Sequence, residues 1–232
     1  AMDGEIELVC GAFSGDPERS ARSGAMLYLE PERIYGDYRQ MMSAEAALPA
    51  DQRMQFVAIV TPNDLHFPVA EAALGAGFHV LSDKPATLSL AQALQLRERV
   101  RDSGLLYGLT HTYTGYPLVK EARERISRGE LGKIRKVVVE YTQGWLADRQ
   151  EDLGNKQASW RLNPAQAGVS SCMGDIGVHA ANLAEYVSGL NITEVCADLS
   201  AFVEGRELDD DGSILLRLER GAKGVLMASQ VC

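Results

Sequence analysis

Two hydrophobic rhythms run along this chain, and the balance between them changes near its middle. Ile6 to Phe13 is an apolar, β-prone run. Asp16-Pro17-Glu18-Arg19 then reads as a helix start, with Asp as N-cap and Pro at the first helical position. Gln55 to Val60 predicts a buried strand. Helical spacing follows from Phe67 to Leu74, and Gly75 and Gly77 punctuate its end. Phe78 to Leu81 is the next strand, Leu88 to Val100 a strongly amphipathic helix closing near Gly104, and Leu105 to Leu109 another strand. Strands alternating with helices of this length predict a parallel sheet with right-handed crossovers.

The second half changes character. Tyr116 to Arg128 predicts a helix ended by Gly129, and Lys133 to Gly144 a long strand alternating at Val137, Val139 and Tyr141. A polar loop spans roughly Ala147 to Ala158, and Asp175 to Val187 reads as a helix. Ile192 to Val203, Ser213 to Leu218 and Gly224 to Val231 read as consecutive antiparallel strands. Helices before a run of strands predict an α+β domain with an open sheet. The expected fold is therefore α/β: a Rossmann-type parallel sheet in residues 1–112, then an α+β domain with a large, mainly antiparallel sheet in residues 113–232. The chain starts just before a strand without a Gly-rich turn and stops on an apolar run. Both ends read as cuts, and we expect an internal piece of a longer protein.

Composition narrows the function classes. The 232 residues are 46% hydrophobic and 24% charged, ordinary for a globular protein. A net charge of -9, without a dense Lys/Arg run, argues against nucleic-acid binding. No apolar run is long enough to span a membrane and no signal peptide opens the chain, so the expectation is a cytoplasmic protein. Cys10, Cys172, Cys196 and Cys232 are widely spaced and are expected as free thiols, and no metal site is expected.

Two stretches carry candidate chemistry. In Gly174-Asp175-Ile176-Gly177-Val178-His179 the acid and the histidine are four apart, one face of a helix. A carboxylate that orients a histidine is the usual supply for proton transfer near neutral pH. Asp83-Lys84-Pro85 closes the strand at Phe78 to Leu81. A lysine there could move a proton if its pKa fell from about 10.4 toward about 7–8. Together the three types suggest chemistry at an alcohol or carbonyl. The residues alone leave the plainer readings open: a solvated lysine, a helix-capping Asp and a satisfied core His.

Four stretches in order resemble the Gfo/Idh/MocA oxidoreductases, the relatives of glucose–fructose oxidoreductase and inositol dehydrogenase. Thr61-Pro62-Asn63-Asp64-Leu65-His66 resembles the family's T-P-N-x-x-H turn, and Ser82-Asp83-Lys84-Pro85 its E-K-P motif with Asp83 in place of Glu. Gly132-Lys133-Ile134 resembles the entry to the second domain, and residues 174–179 its G-D-x-G-x-H motif. The family's G-x-G-x-x-G turn would precede residue 1.

The resemblance implies a role for each residue. Lys84 would contact the nicotinamide ribose and the substrate and aid proton transfer, His179 would be the acid/base, and Asp175 would orient it or bind substrate hydroxyls; either Lys84 or His179 can be the base, because coupled groups titrate as a unit. Thr61, Pro62, Asn63, His66, Asp83 and Pro85 would line the cofactor, although a plain turn with Asn63 or Asp64 as a cap is compatible with this. His111 and Tyr113 would be substrate-side, and Trp160 and Arg161 would sit near substrate or cofactor or pack between domains. His79, inside an apolar run, reads as structural, and Trp145 as core or interface. Ser14 stands at the end of the first visible strand, where an acidic residue would bind the ribose 2′-hydroxyl of NAD. A neutral hydroxyl there, with Arg19 or Arg22 in reach, leans to NADP over NAD. The implied function is an NAD(P)-dependent oxidoreductase acting on a sugar, inositol or related polyol, as a homodimer or homotetramer through the second-domain sheet. The alternatives are an NAD-dependent glycosidase or a non-enzymatic dinucleotide-binding sensor.

Overall fold

A computed structural model describes residues 4–232. Internal contacts sort them into two compact units by more than one cut. The first holds residues 4–60, Leu65–Ser82 and Ala91–Gly108; the second holds Thr61–Asp64, Asp83–Leu90 and Leu109–Cys232. The expected division at 112/113, whose first three residues lie outside the described ones, is a single cut. The short segments Thr61–Asp64 and Asp83–Leu90 instead group with the second unit.

In the first unit, β1 (Gly11–Ala12) pairs in parallel with β2 (Ile34–Tyr35). The strand expected over Ile6 to Phe13 shrinks to these two residues. Strand formation needs a partner as well as propensity, and Ile6 and Leu8 stay about half exposed. Helix α1 (Pro17–Met26) starts where expected: Asp16 accepts hydrogen bonds from Glu18 N (3.0 Å) and Arg19 N (3.2 Å). Helix α2 (Tyr38–Ala46) has no counterpart in the sequence reading; it is capped by Asp37 and carries the buried Glu45. That carboxylate accepts from Arg33, from the Tyr35 hydroxyl and from Met54 N, so its burial leaves no charge uncompensated.

Strands β3 (Phe56–Ile59) and β4 (His79–Ser82) run parallel, in register from Phe56↔His79 to Ile59↔Ser82. Helix α3 (His66–Gly75) makes the crossover. Helix α4 (Leu90–Ser103) leads to β5 (Tyr107–Leu109), which lies beside β4. Val57, Ile59 and Val80 are buried, as one face of a covered sheet requires. His79 is structural, as expected: its Nδ1 accepts from Leu106 N at 3.0 Å.

The second unit carries α5 (Pro117–Ser127) and a four-stranded sheet ordered β6-β9-β8-β7. These strands are β6 (Lys136–Thr142), β7 (Ile192–Ser200), β8 (Asp211–Leu218) and β9 (Lys223–Ser229). The last three pair antiparallel, as expected, but β6 joins β9 in parallel. That join requires a long crossover. It is supplied by α6 (Lys156–Arg161), α7 (Pro164–Ala167), a π-helical turn (Met173–Gly177) and α8 (Val178–Ser188). Part of the expected loop at 147–158 is thus the start of α6, capped by Asn155. The expected helix over Asp175 to Val187 is the π turn continued by α8.

The core of this unit lies under one sheet face, where Ile176, Ala180, Leu216, Leu226 and Ala228 pack together. At Gly224 a Cβ would sit 3.0 Å from the Val137 carbonyl, so glycine lets β6 and β9 close up there. The fold class expected from the pattern is the one found. No helix among the described residues is long and apolar enough to cross a membrane. All four cysteines are free thiols, Cys10 and Cys172 buried.

Leu226 is 1% exposed and Leu118 on α5 is 82% exposed. We expect Leu226→Ala to lower unfolding free energy by about 2–5 kcal/mol and Leu118→Ala to stay within about 0.5 kcal/mol. Urea denaturation of both variants checks this; equal losses would mean the core is not where the sheet packing puts it.

Candidate active site

The site lies within the second unit and is built on strand ends and one helix start. Directly after β4, the chain delivers Asp83, Lys84 and Pro85, with a cis Lys84–Pro85 peptide bond. Lys84 is not a solvated lysine, because only 16% of its side chain is exposed. Its Nζ donates to the Asp175 carbonyl and to Asp175 Oδ1, both at 2.6 Å. Asp175 Oδ2 accepts from Arg161 Nε at 3.1 Å and from Gln230 Nε2 at 3.0 Å. Burial pushes the Asp175 carboxyl up, but the Lys84 and Arg161 charges outweigh it and hold the group below the ordinary aspartate value.

The π turn that carries Asp175 is fastened from outside. Asp209 accepts from Ser171 N (3.0 Å) and Met173 N (2.8 Å), and Ser170 Oγ accepts from Gly174 N (2.9 Å). Single π turns inside helices are rare and recur at functional sites. Here the turn changes the expected geometry. Asp175 and His179 do not stack as an i, i+4 pair on a regular helix, and the carboxylate bonds Lys84, Arg161 and Gln230 rather than the imidazole.

His179, in the first turn of α8, packs instead among aromatic rings. Tyr113 meets it edge-on at 4.9 Å between centroids, and His111 does so at 5.8 Å. Burial, then the Lys84 charge and His111, push the His179 pKa down to about 4. Burial and Lys84 lower His111 as well. Both rings are therefore neutral at pH 7. The Tyr113 hydroxyl bonds the Tyr141 hydroxyl, and this bond together with burial raises Tyr113 to about 12. A neutral imidazole has one ring nitrogen with a lone pair free to accept a hydrogen bond or a proton from a group in the cavity.

That cavity has a volume of about 500 Å³ and is lined by Lys84, Asp175 and His179 with Tyr141, Gln143 and Trp145. The last three are tied in a row: Trp145 Nε1 donates to Gln143 Oε1 and Gln143 Nε2 donates to Tyr141 OH, both at 3.0 Å. Trp145 thus faces the cavity, and Gln143 was not singled out from sequence. A signal existed. Val137, Val139 and Tyr141 share one side of β6, and the same parity continues as Gln143 and Trp145, polar and aromatic past the end of the aliphatic run.

The remaining expected residues fall in several places. Arg161 lines the cavity, with its guanidinium stacked 4.2 Å over the Trp160 ring; the Trp160 Nε1 donates to Gln157 Oε1. Thr61, Pro62 and Asn63 follow β3, and the Asn63 amide donates to Ala167 O at 3.1 Å. Asp83 accepts a hydrogen bond from Thr110 Oγ1. His66 and Ser14 belong to the first unit: His66 is 1% exposed, and Ser14 Oγ accepts from Asp16 N at 3.2 Å.

Two family models match the chain almost end to end. Residues 8–111 match the oxidoreductase family with NAD-binding Rossmann fold, and residues 119–232 match the GFO/IDH/MocA C-terminal domain. The oxidoreductase YfiI of Bacillus subtilis, itself uncharacterised, is 31% identical over 97% of the chain and 58% of its own length. Levoglucosan dehydrogenase of Pseudarthrobacter phenanthrenivorans is 28% identical over 94% of the chain and 60% of its own length. The structure of an inositol dehydrogenase homolog complexed with NAD+, from Azotobacter vinelandii, superposes with a TM-score of 0.93 at 36% identity. It is matched over 97% of this chain and 58% of that one. The chain thus spans somewhat over half the length of these relatives, and it belongs to the Gfo/Idh/MocA oxidoreductase family.

Proposed function

We propose that the protein is an NAD(P)-dependent oxidoreductase that interconverts a CH–OH group and a carbonyl on a sugar, inositol or related polyol. The observation that supports this most is the convergence of Lys84, Asp175 and a neutral His179 on one polar cavity. In the oxidative direction His179 accepts the hydroxyl proton as hydride leaves the same carbon. Lys84 steadies the negative charge that develops on the oxygen. Asp175 fixes Lys84, and Arg161 fixes Asp175. His111, Tyr113, Gln143 and Trp145 face the substrate, and Trp160 supports the Arg161 guanidinium.

A bound nicotinamide supplies the hydride acceptor, since the protein contributes position and electrostatics while the cofactor carries the redox chemistry. The residues that would hold it follow strand ends: Thr61, Pro62 and Asn63 after β3, and Asp83, Lys84 and Pro85 after β4. Ligands gather past the C-terminal ends of parallel strands. The donor set fits such a ligand, because the buried His111 Nδ1 bonds no described residue. His66 lies in the core of the first unit, where we assign it a supporting role. Ser14 brings no charge against a 2′-phosphate, and Arg19 on α1 is exposed, which favours NADP.

In the full-length protein we expect NAD(P)H formation with at least one sugar or inositol. Lys84→Ala and His179→Ala should each lower kcat by at least about 10²-fold with nucleotide affinity kept. Absence of turnover on every polyol, with nucleotide still bound, would move the assignment to a glycosidase or a sensor. The His179 value of about 4 sets the pH profile. Because the folded ring stays neutral well below 6.5, kcat/KM should be flat from roughly pH 6 to 8 and fall only toward the acid end. An acid limb at the ordinary histidine value would contradict a base held neutral by burial and Lys84.

The sheet face away from α8 fits a second copy of the chain. Val138, Val225, Leu215 and Cys196 form a row across it. Lys136, Lys223 and Arg217, the last paired with Glu194, flank this row on one side; Glu140 and Asp198 flank it on the other. A two-fold axis over the apolar row sets the basic edge of one copy against the acidic edge of the other. Wild type should therefore sediment as a dimer or tetramer and Leu215→Asp as a monomer with unchanged circular dichroism. A monomeric wild type would refute the assignment.

A further inference from the structure

Gln230 is a fully enclosed polar side chain beside the site, at 0% exposure. Both ends of its amide and both of its backbone polar groups are hydrogen-bonded. Its Nε2 donates to Asp175 Oδ2 at 3.0 Å, and its Oε1 accepts from Ser171 Oγ at 3.4 Å. Its backbone N–H donates to Asp210 O at 2.8 Å, and its carbonyl accepts from Leu146 N at 3.0 Å. One residue past β9 thus joins the Asp210 loop, the strand extension at Leu146 and the turn that carries Asp175.

The partners fix which way the amide points. A carboxylate lies on one side and a hydroxyl that must donate lies on the other, so nitrogen faces Asp175 and oxygen faces Ser171. An amide is the uncharged side chain of this length that donates in one direction and accepts in the other. A glutamate there would put a second carboxyl against the first; a methionine would fill the space and donate nothing.

We propose that Gln230 is a positioning residue which, from the side opposite Lys84, fixes the Asp175 carboxylate between Lys84 and Arg161. This rests on the reading of Asp175 as part of the oxidoreductase site. Lys84 Nζ occupies Oδ1, and Arg161 Nε shares Oδ2 with the amide. Without the amide, Oδ2 keeps one partner, and the carboxylate is free to turn away from Lys84. The charged and titratable groups around Asp175 are Lys84, Arg161, His179 and Tyr113, with Asp209, Asp210 and Asp211 grouped near Cys172. Gln230 is the neutral member of this set, and a negative charge at its position would act on Asp175 directly.

The test follows the Asp175 side-chain carboxyl by carbon-13 NMR against pH in the full-length protein, with Asp175→Asn assigning the signal. We expect the midpoint to rise by about one pH unit or more in Gln230→Glu and by less in Gln230→Met. Circular dichroism should stay unchanged in both. An Asp175 midpoint that does not move in a folded Gln230→Met would overturn the proposal, since a residue that only packs would lower stability without touching that titration, whereas Gln230→Glu moves it by its own charge. Gln230→Leu, likewise uncharged, keeps the test open should the methionine variant not fold. A shifted midpoint in a protein that oxidises no polyol would uphold the role of Gln230 and count only against the oxidoreductase reading.

Discussion

One charge organises the second unit: the ionised carboxylate of Asp175, with a side chain only 15% exposed. Taking a carboxylate out of water costs several kcal/mol even after relaxation, on the order of what a whole domain has to spare. The cost is met only if donors surround the group. They arrive from Lys84, Arg161 and Gln230, distant positions in the sequence, so compensating one charge fixes three segments at once. The same need holds the π turn, because Lys84 also bonds the Asp175 carbonyl. An apolar replacement of similar volume would hold such segments together at least as well. Stability alone therefore gives no reason to keep these charges.

The second effect of that cluster is on its neighbours. Burial is the first cause for the two half-buried imidazoles, and the Lys84 charge adds to it. His179 and His111 respond by remaining neutral. The arrangement thus combines a fixed cation with an uncharged imidazole inside one cavity.

What could be read from the sequence was what local chemistry decides. The Asp16 cap, the alternation of strands and helices through residue 109, and the parity of β6 all survive in the structure, because caps and periodicity depend on near neighbours. The losses have one cause. Ile6 to Leu8 are strand-like residues without a ladder partner. Helix α2 was missed because its apolar positions are few and its anchor, Glu45, is a charged residue satisfied from outside the helix. The parallel joining of β6 to β9 is a tertiary choice. The same holds at the site. Lys84, Asp175 and His179 were legible as a set, but the spacing of Asp175 and His179 suggested a regular helical pair. The π turn and the bonds to Lys84, Arg161 and Gln230 redirect the carboxylate, and none of those partners is close in sequence.

The parity of β6 also shows how chemistry and recognition are kept apart. Val137 and Val139 face the core under α8, and Tyr141 marks the edge of that packing. Beyond it the same alternation sends Gln143 and Trp145 into the cavity, where they bond one another and Tyr141 rather than Asp175 or Lys84. The strand acts as a ruler: its first part is constrained by close packing, where a change of one methylene is felt. Its extension carries side chains that line the cavity. Gln143 and Trp145 thus draw their side-chain hydrogen bonds from each other and Tyr141, while Asp175 draws its own from Lys84, Arg161 on α6 and Gln230.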